Sequence, residues 1–348
     1  MWTGSGRRES GVIEVPVYPA AGADRDRFVL ALRPRRRMHD PWRHQGVLVE
    51  EERTGDGSAA RVATIFLTGR ECPWRCAMCD LWTFTIEQDT PRGALVQQVL
   101  DARGALETPL PEGVKLYNAG SFFDPRAVPV GDYDAIAREL QGLDRVIVES
   151  HPSLVGGKVE WLLASLERQR PADRPAVALE VAMGLETAHP EALERLNKRM
   201  TLEAFAAAAR RLRASGVAVR AFLLISPPFV PAEEQDDWLV RSIDAAVSCG
   251  ASAISLVPTR PGNGVLERLA ERQMFFPPGL ADVERSLLLA LTHTRGRARV
   301  FADLWDIEQR AACRQCVGAR RERLHRMNLS QQALDAVACG CCGLGTAG

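Results

Sequence analysis

Short β-branched runs recur along this chain, each followed by a stretch long enough to form a helix. That alternation constrains the fold more than any other feature. The runs cover 61–68, 114–118, 145–149, 177–183, 217–225 and 253–257, with a seventh at 299–301. Between them the clearest helical pattern spans 201–215. Thr201 stands as N-cap, Leu202, Phe205, Ala209 and Leu212 share one face, and Gly216 is the stop. A second helix is expected from about Ala232 to Cys249, ending at Gly250. Strands separated by helices must pair in parallel, because parallel neighbours need crossover connections. The expected fold is α/β: a partial (β/α)6 TIM-like barrel with a small cysteine-rich, metal-bound C-terminal extension. A doubly wound open sheet is the rival, and periodicity alone does not separate the two. The chain divides into an irregular basic segment (1–58), the barrel (59–300) and the extension (301–348). Gly55-Asp56-Gly57-Ser58 reads as a turn just before the ordered core.

Of 348 residues, 46% are hydrophobic and 25% charged, and no apolar run is long enough to cross a bilayer. The first residues, MWTGSGRRESG, carry no apolar stretch behind their basic side chains, so no secretory signal is expected. A cytoplasmic protein with no membrane partner follows. The 44 basic and 44 acidic side chains cancel, which removes whole-molecule charge as an argument for nucleic acid. Nine cysteines are more than packing needs. In a reducing compartment their clusters read as metal sites before disulfides. Cys249, alone at a helix end, reads as core.

Cys72, Cys76 and Cys79 follow directly on the first strand, where a barrel presents its working residues. Three thiolates so close together can ligate three irons of a cubane and leave the fourth open. An open iron is what S-adenosylmethionine (SAM) requires, since its amino and carboxylate groups chelate there. The competing reading is a structural zinc knuckle with His151 or Asp80 as a remote fourth ligand, although zinc sites usually show paired cysteines.

The triplet resembles the radical SAM superfamily, whose signature is C-x3-C-x2-C, over roughly residues 60–300. The resemblance implies a 4Fe–4S cluster on Cys72, Cys76 and Cys79, bound SAM, and an electron donor such as flavodoxin or ferredoxin. In that family the residue before the last cysteine is usually aromatic and lies near the adenine; here it is Met78. Asn118-Ala119-Gly120-Ser121 falls where the family holds the methionine amino group, Glu186 where a carboxylate meets the ribose, and Ser226 opens a loop for adenine or substrate. His151, after the third strand, is placed to bind SAM or substrate, or to cap a loop. The segments KLYNAGSFFDP, MGLET, LNK, FLLISPPF and DLWD are similar to the Elp3-like branch, closest to the archaeosine lyase group. Such enzymes act on tRNA, cleaving a carbon–nitrogen bond in a lysine-bearing 7-deazaguanine. No acetyltransferase segment is recognised after residue 300, so acetyl transfer is not expected.

A second cysteine group, Cys313, Cys316, Cys339, Cys341 and Cys342, supplies close pairs with 22 residues between them. Four of these five suit tetrahedral zinc, with an auxiliary iron–sulfur cluster as the alternative. Arg314, Arg320, Arg321, Arg323, His325 and Arg326 lie between the pairs on an expected helix. With the Arg33–Arg37 run they are candidates for a phosphate-binding surface. Glu180, inside a strand, needs a partner to be buried. Asp303, past the seventh strand, is placed to bind a substrate amine, with Trp305 beside it.

The expected function is reductive SAM cleavage followed by hydrogen abstraction from substrate, in a tRNA-modifying lyase or a close relative. A radical SAM enzyme acting on a small amino-acid-like metabolite or natural-product intermediate is the alternative. A non-catalytic zinc-binding adaptor is the third reading.

Overall fold

The computed structural model describes residues 18–342, so the MWTGSGRRESG segment lies outside it. Eight strands form one sheet in consecutive order. They are β1 (Gly46–Arg53), β2 (Ala59–Phe66), β3 (Gly113–Tyr117), β4 (Arg145–Glu149), β5 (Ala178–Glu186), β6 (Ala218–Ile225), β7 (Ala253–Pro258) and β8 (Arg299–Ala302). β1 runs antiparallel to β2, and every later pair is parallel. A doubly wound sheet reverses its strand order at a switch point. Sequential order is that of a barrel wall, so the sheet is the expected half-barrel, with the run at 299–301 a full member. Its two ends approach each other: Arg299 on β8 donates to the Arg53 carbonyl on β1 at 2.9 Å. The helix Val317–Ser330 packs on both end strands.

Outward-facing strand residues such as Leu116, Val148, Val181, Leu223 and Leu256 share a core with Leu95, Ile136, Leu162, Phe205, Ile243 and Leu287 of the crossover helices. Each such side chain contributes about 1.5–3 kcal/mol on burial. The helix Leu202–Ala214 begins as read, with Thr201 Oγ1 accepting from the Ala204 amide at 3.2 Å. It stops at Gly216, which takes a left-handed φ of 72°.

Residues 18–58, the described part of the N-terminal segment, differ from the irregular segment expected. Gly22–Leu32 is helical, and β1 forms a hairpin with β2 around the Gly55–Gly57 turn. The turn was legible and the strand was not. Its GVLVEEER sequence ends in four charges, three of them exposed or half-exposed. Only Glu52 is buried, and it explains why β1 belongs to the barrel.

The inward-facing residues of the lower barrel are ionic. Glu52 meets Lys115 at 2.8 Å and Arg220 at 2.6 Å, and also pairs with Arg145. Glu180 meets Arg220 at 2.5 Å, and Arg145 and Arg299 at 3.3 Å each. The partner that buried Glu180 required is therefore supplied three times over. Burial pushes both carboxyls up, but the surrounding cations more than reverse this and hold them below the usual range. Above this layer Tyr117 and Phe222 meet edge to face, 6.2 Å between centroids. The lower barrel is thus filled with side chains. Among the described residues no helix is long and apolar enough to cross a membrane.

Candidate active site

The cysteine loop starts just past β2 and is pinned from three sides. From the segment after β5, the Ala77 amide donates to Leu196 O at 2.9 Å and Asn197 Nδ2 to Arg75 O at 2.8 Å. From the loop after β7, Asn263 Nδ2 donates to the carbonyls of Cys76 (3.0 Å) and Ala77 (2.9 Å). From the N-terminal side, Glu71 receives Arg33 at 2.7 Å, together with Arg36 and Arg75. Both Arg33 and Arg36 also lie over the Trp82 ring. The loop therefore carries its own scaffold. Cys76 is buried, and Cys72 and Cys79 are half-buried. Burial pushes all three thiols up to about 12.

Lys198 is buried beside Cys76 and Cys72 and pairs with Glu186. Burial opposes its charge, but Glu186 and the two thiols hold its pKa above the ordinary value. A β-carbon at Gly184 would fall on Lys198 Nζ and Glu186 Oε1, so this pair needs glycine at that inward position of β5. The LNK segment was singled out in the sequence, yet nothing in its spacing showed that its lysine reaches back under the cysteines.

Three residues expected to meet a cofactor sit at strand ends with left-handed backbone: Ala119 (φ 54°) after β3, Glu186 (φ 67°) closing β5 and Ser226 (φ 52°) after β6. Non-glycine residues adopt this region at a cost and recur at functional sites. Asn118 is fully buried, and neither its amide oxygen nor its amide nitrogen has a partner. A buried amide left empty-handed at the mouth of a barrel fits a site built around a polar ligand. Ser121 ties the loops after β3 and β4 together, its Oγ lying 2.9 Å from Ser150 Oγ and accepting from the His151 amide at 3.2 Å. Met78 packs against the small apolar cluster around Val29, Val265 and Leu266.

His151 stacks on Trp74 of the cysteine loop, ring centroids 3.6 Å apart and 12° from parallel. Its Nδ1 accepts from the Ser153 amide at 3.2 Å, and Nε2 lies 3.0 Å from Lys198 O. Both nitrogens are thus engaged by a neutral ring. Burial first, and the Lys198 charge second, lower its pKa to about 4. Of the readings offered for His151, the loop cap is the one these contacts describe. The stack on Trp74 had no sequence signal.

Glu149, closing β4, has its carboxyl pushed up to about 7 by burial, against the opposing backbone amides of Gly120, Asn118 and Ala119. Its folded pKa exceeds the ordinary 4.5. The folded state therefore holds a proton that the unfolded chain has released, and Glu149 makes stability fall as pH rises from about 4.5 to 7. Glu149→Gln is expected to flatten that slope, as urea midpoints taken between pH 5 and 8 will show.

In the C-terminal extension Cys313, Cys316, Cys339 and Cys342 bring their sulfurs within 4.8 Å of one another. Cys313 lies 3.9 Å from Cys339 and Cys316 3.8 Å from Cys342. Cys341 is exposed and outside the group. Among the described residues no comparably tight knot gathers Cys72, Cys76 and Cys79. The expected arginine surface is smaller than its sequence suggests. Arg33 and Arg36 serve the cysteine loop. Arg320 and Arg323 are buried on Glu284, because their helix turns that side inward. Arg35, Arg37, Arg314, Arg321 and Arg326 remain exposed.

No protein-family profile matches the chain. It is similar to archaeosine synthase subunit beta of Methanosarcina acetivorans, 26% identical over 66% of this chain and 66% of that protein. It is likewise similar to the subunit of the same name from Thermococcus kodakarensis, 27% identical over 62% of this chain and 66% of that one. The chain thus spans just under two thirds of these relatives. An uncharacterized protein of Methanocaldococcus jannaschii is 24% identical over 87% of each. Among solved structures, methylornithine synthase superposes with a TM-score of 0.49 at 14% identity, over 76% of this chain and 68% of its own.

Proposed function

We propose that this chain, a radical SAM enzyme related to archaeosine synthase subunit beta, modifies tRNA by cleaving a carbon–nitrogen bond in a lysine-bearing 7-deazaguanine. The observation that carries the radical reading is the cysteine loop itself. Three thiols stand on one fixed loop at the barrel mouth, with a buried lysine beneath them and an orphaned amide beside them. Those features fit a 4Fe–4S cluster held by Cys72, Cys76 and Cys79 with SAM at its open iron. When bound, the cluster supplies the electron that breaks the SAM sulfonium bond and yields a 5′-deoxyadenosyl radical.

The chain's own residues then have separate tasks. Lys198 offsets thiolate charge, which otherwise accumulates in a buried place. Asn118 offers a donor and an acceptor to the methionine end of SAM, with Ala119, Gly120 and Ser121 shaping the backbone around it. Glu186 would meet the ribose, with Met78 and Ser226 lining the rest of the site and His151 capping the loop that borders it. The packed ionic floor closes the barrel below, so substrate and SAM share one entrance and water is kept from the radical.

The C-terminal cysteines fit zinc. A tetrahedron with metal–sulfur bonds of about 2.3 Å has sulfur–sulfur edges of about 3.8 Å. The two pairs measure 3.9 and 3.8 Å. Cys313, Cys316, Cys339 and Cys342 are the proposed ligands, and the metal pins the terminal extension to the barrel.

tRNA is the proposed partner on the strength of the relatives' names, and the exposed arginines supply phosphate contacts. The test is binding of tRNA to the reconstituted protein at rising salt. A steep loss of affinity with salt, and conversion of the lysine-bearing base to its amidine within the tRNA only with reductant and SAM, supports the lyase reading. Salt-independent or absent binding favours the small-metabolite alternative.

A further inference from the structure

The barrel mouth carries an ion pair of which the sequence singled out only the carboxylate, as a place for a substrate amine. Asp303 follows β8 directly, its amide bonded to Leu256 O at 2.9 Å, and its carboxylate pairs with Arg260 of the loop after β7. Both partners are partly open to solvent, with 25% and 31% of their side-chain surfaces exposed. Exchanging such a pair for a ligand's charges costs little, because exposed ion pairs contribute little to begin with.

The pairing also leaves Arg260 half used. Its Nη2 serves Asp303 and lies 3.4 Å from Trp305 O, while its Nε, on the same edge of the guanidinium, is buried and has no partner. That edge is the one that grips a carboxylate with two parallel hydrogen bonds. A second guanidinium, Arg310, stands in the same electrostatic neighbourhood as Arg260, Asp303 and Asp80, and its buried Nε is equally unpartnered. Desolvated N–H groups left without acceptors are uncommon and point to a missing group. On the other side, Asp303 Oδ1 is held by the Trp305 amide at 2.9 Å, and Oδ2 is the oxygen that accepts from Arg260.

Two further contacts tie this place to the chemistry. Asp80, the residue after Cys79, packs against Gly262, two residues beyond Arg260. In the same loop Asn263 holds the carbonyls of Cys76 and Ala77. The Trp305 ring, 47% exposed, reaches across the mouth to Phe66 at the end of β2, centroids 5.7 Å apart. The mouth thus combines a carboxylate-gripping cation, an ammonium-accepting anion and an aromatic wall, all braced against the cysteine loop.

We infer that Arg260 and Asp303 form a subsite for the amino-acid head of the substrate, Arg260 taking an α-carboxylate and Asp303 the α-ammonium. This rests on the radical SAM reading for its reaction but not for its binding. The shared chemistry is a free zwitterionic amino-acid group, which belongs either to a free amino acid or to an amino-acid appendage on a nucleobase.

The experiment uses anaerobically reconstituted protein with SAM and no reductant, and measures binding by calorimetry. The probes are L-lysine, cadaverine (no carboxylate), 6-aminohexanoate (no α-amino group), and tRNA with and without a lysine-bearing 7-deazaguanine. Removing either charged group from the probe is expected to weaken binding roughly 10- to 100-fold, as are Arg260→Met and Asp303→Asn. Arg260→Lys should recover part of the loss. Saturable binding of free lysine identifies a metabolite source; discrimination only between the two tRNAs identifies a nucleobase-borne one. Equal binding by variants and wild type, even with a lowered melting temperature, makes the pair a structural latch and overturns the proposal. So does failure of the wild type to bind any amino-acid-bearing probe. Wild-type protein that binds these probes yet leaves SAM intact under dithionite instead sinks the radical reading and spares this one.

Discussion

Glu180→Gln is expected to lower folding stability by about 3–5 kcal/mol, a large part of the 5–15 kcal/mol that holds an ordinary domain together. Glu180 is 3% exposed and touches Arg145, Arg220 and Arg299. Without its charge, those three cations and Lys115 are left facing Glu52 alone. Equilibrium urea denaturation measures the loss. The Glu180→Met/Arg220→Met double variant should lose less than the two single variants together, because it removes a charge from each side of the layer. A simple sum would mean that the layer is not coupled. The same carboxyls set an acid limit. Their folded pKa values lie below the ordinary 4.5, so their contribution is complete above that pH and is lost as pH falls below it. This is opposite in sign to Glu149, and the two effects occupy different pH windows.

Cys76→Ala is expected to abolish cluster assembly while leaving the barrel folded. In the proposed function Cys76 is one of three ligands, and a cubane would not be retained at such a site by two. The loop itself is held by backbone contacts from Asn197 and Asn263 and by the Glu71 ion pairs, none of which uses the thiol. Far-ultraviolet circular dichroism should therefore match wild type, whereas the visible absorption of the reconstituted protein should be missing. A variant that keeps a full visible spectrum would show that Cys76 is not a ligand.

Much of the barrel was legible because its wall is one-sided. Every parallel strand alternates an aliphatic outer residue with something else, and the helices between them keep a 3.6-residue period. The inner face was harder to read. Lys115, Glu180 and Arg220 each break an apolar run, and only the closed geometry shows that they meet one another. β1 was invisible for a related reason: its purpose is to deliver Glu52, and a strand with one buried carboxylate among exposed charges looks like a solvated loop. At the mouth the cysteine triplet announced itself by spacing. Asn118, Ala119, Glu186 and Ser226 were singled out from their order along the chain; Ala119, Glu186 and Ser226 have left-handed backbone and Asn118 has unmet hydrogen bonds. Lys198 and Asn263 come from segments more than a hundred residues from the cysteines. Contacts over such separations leave no periodic trace. The arginines illustrate the reverse: a basic run reads as a surface, yet Arg33 and Arg36 lie inside because Glu71 draws them there.

The most direct measurement is metal analysis of anaerobically purified protein, followed by dithionite and SAM and a search for 5′-deoxyadenosine. About four irons and four sulfides per chain are expected, with one zinc. Conversion of SAM to 5′-deoxyadenosine should appear in wild type and be lost in Cys76→Ala. Protein that carries zinc alone after careful reconstitution, and leaves SAM intact, would contradict the central claim.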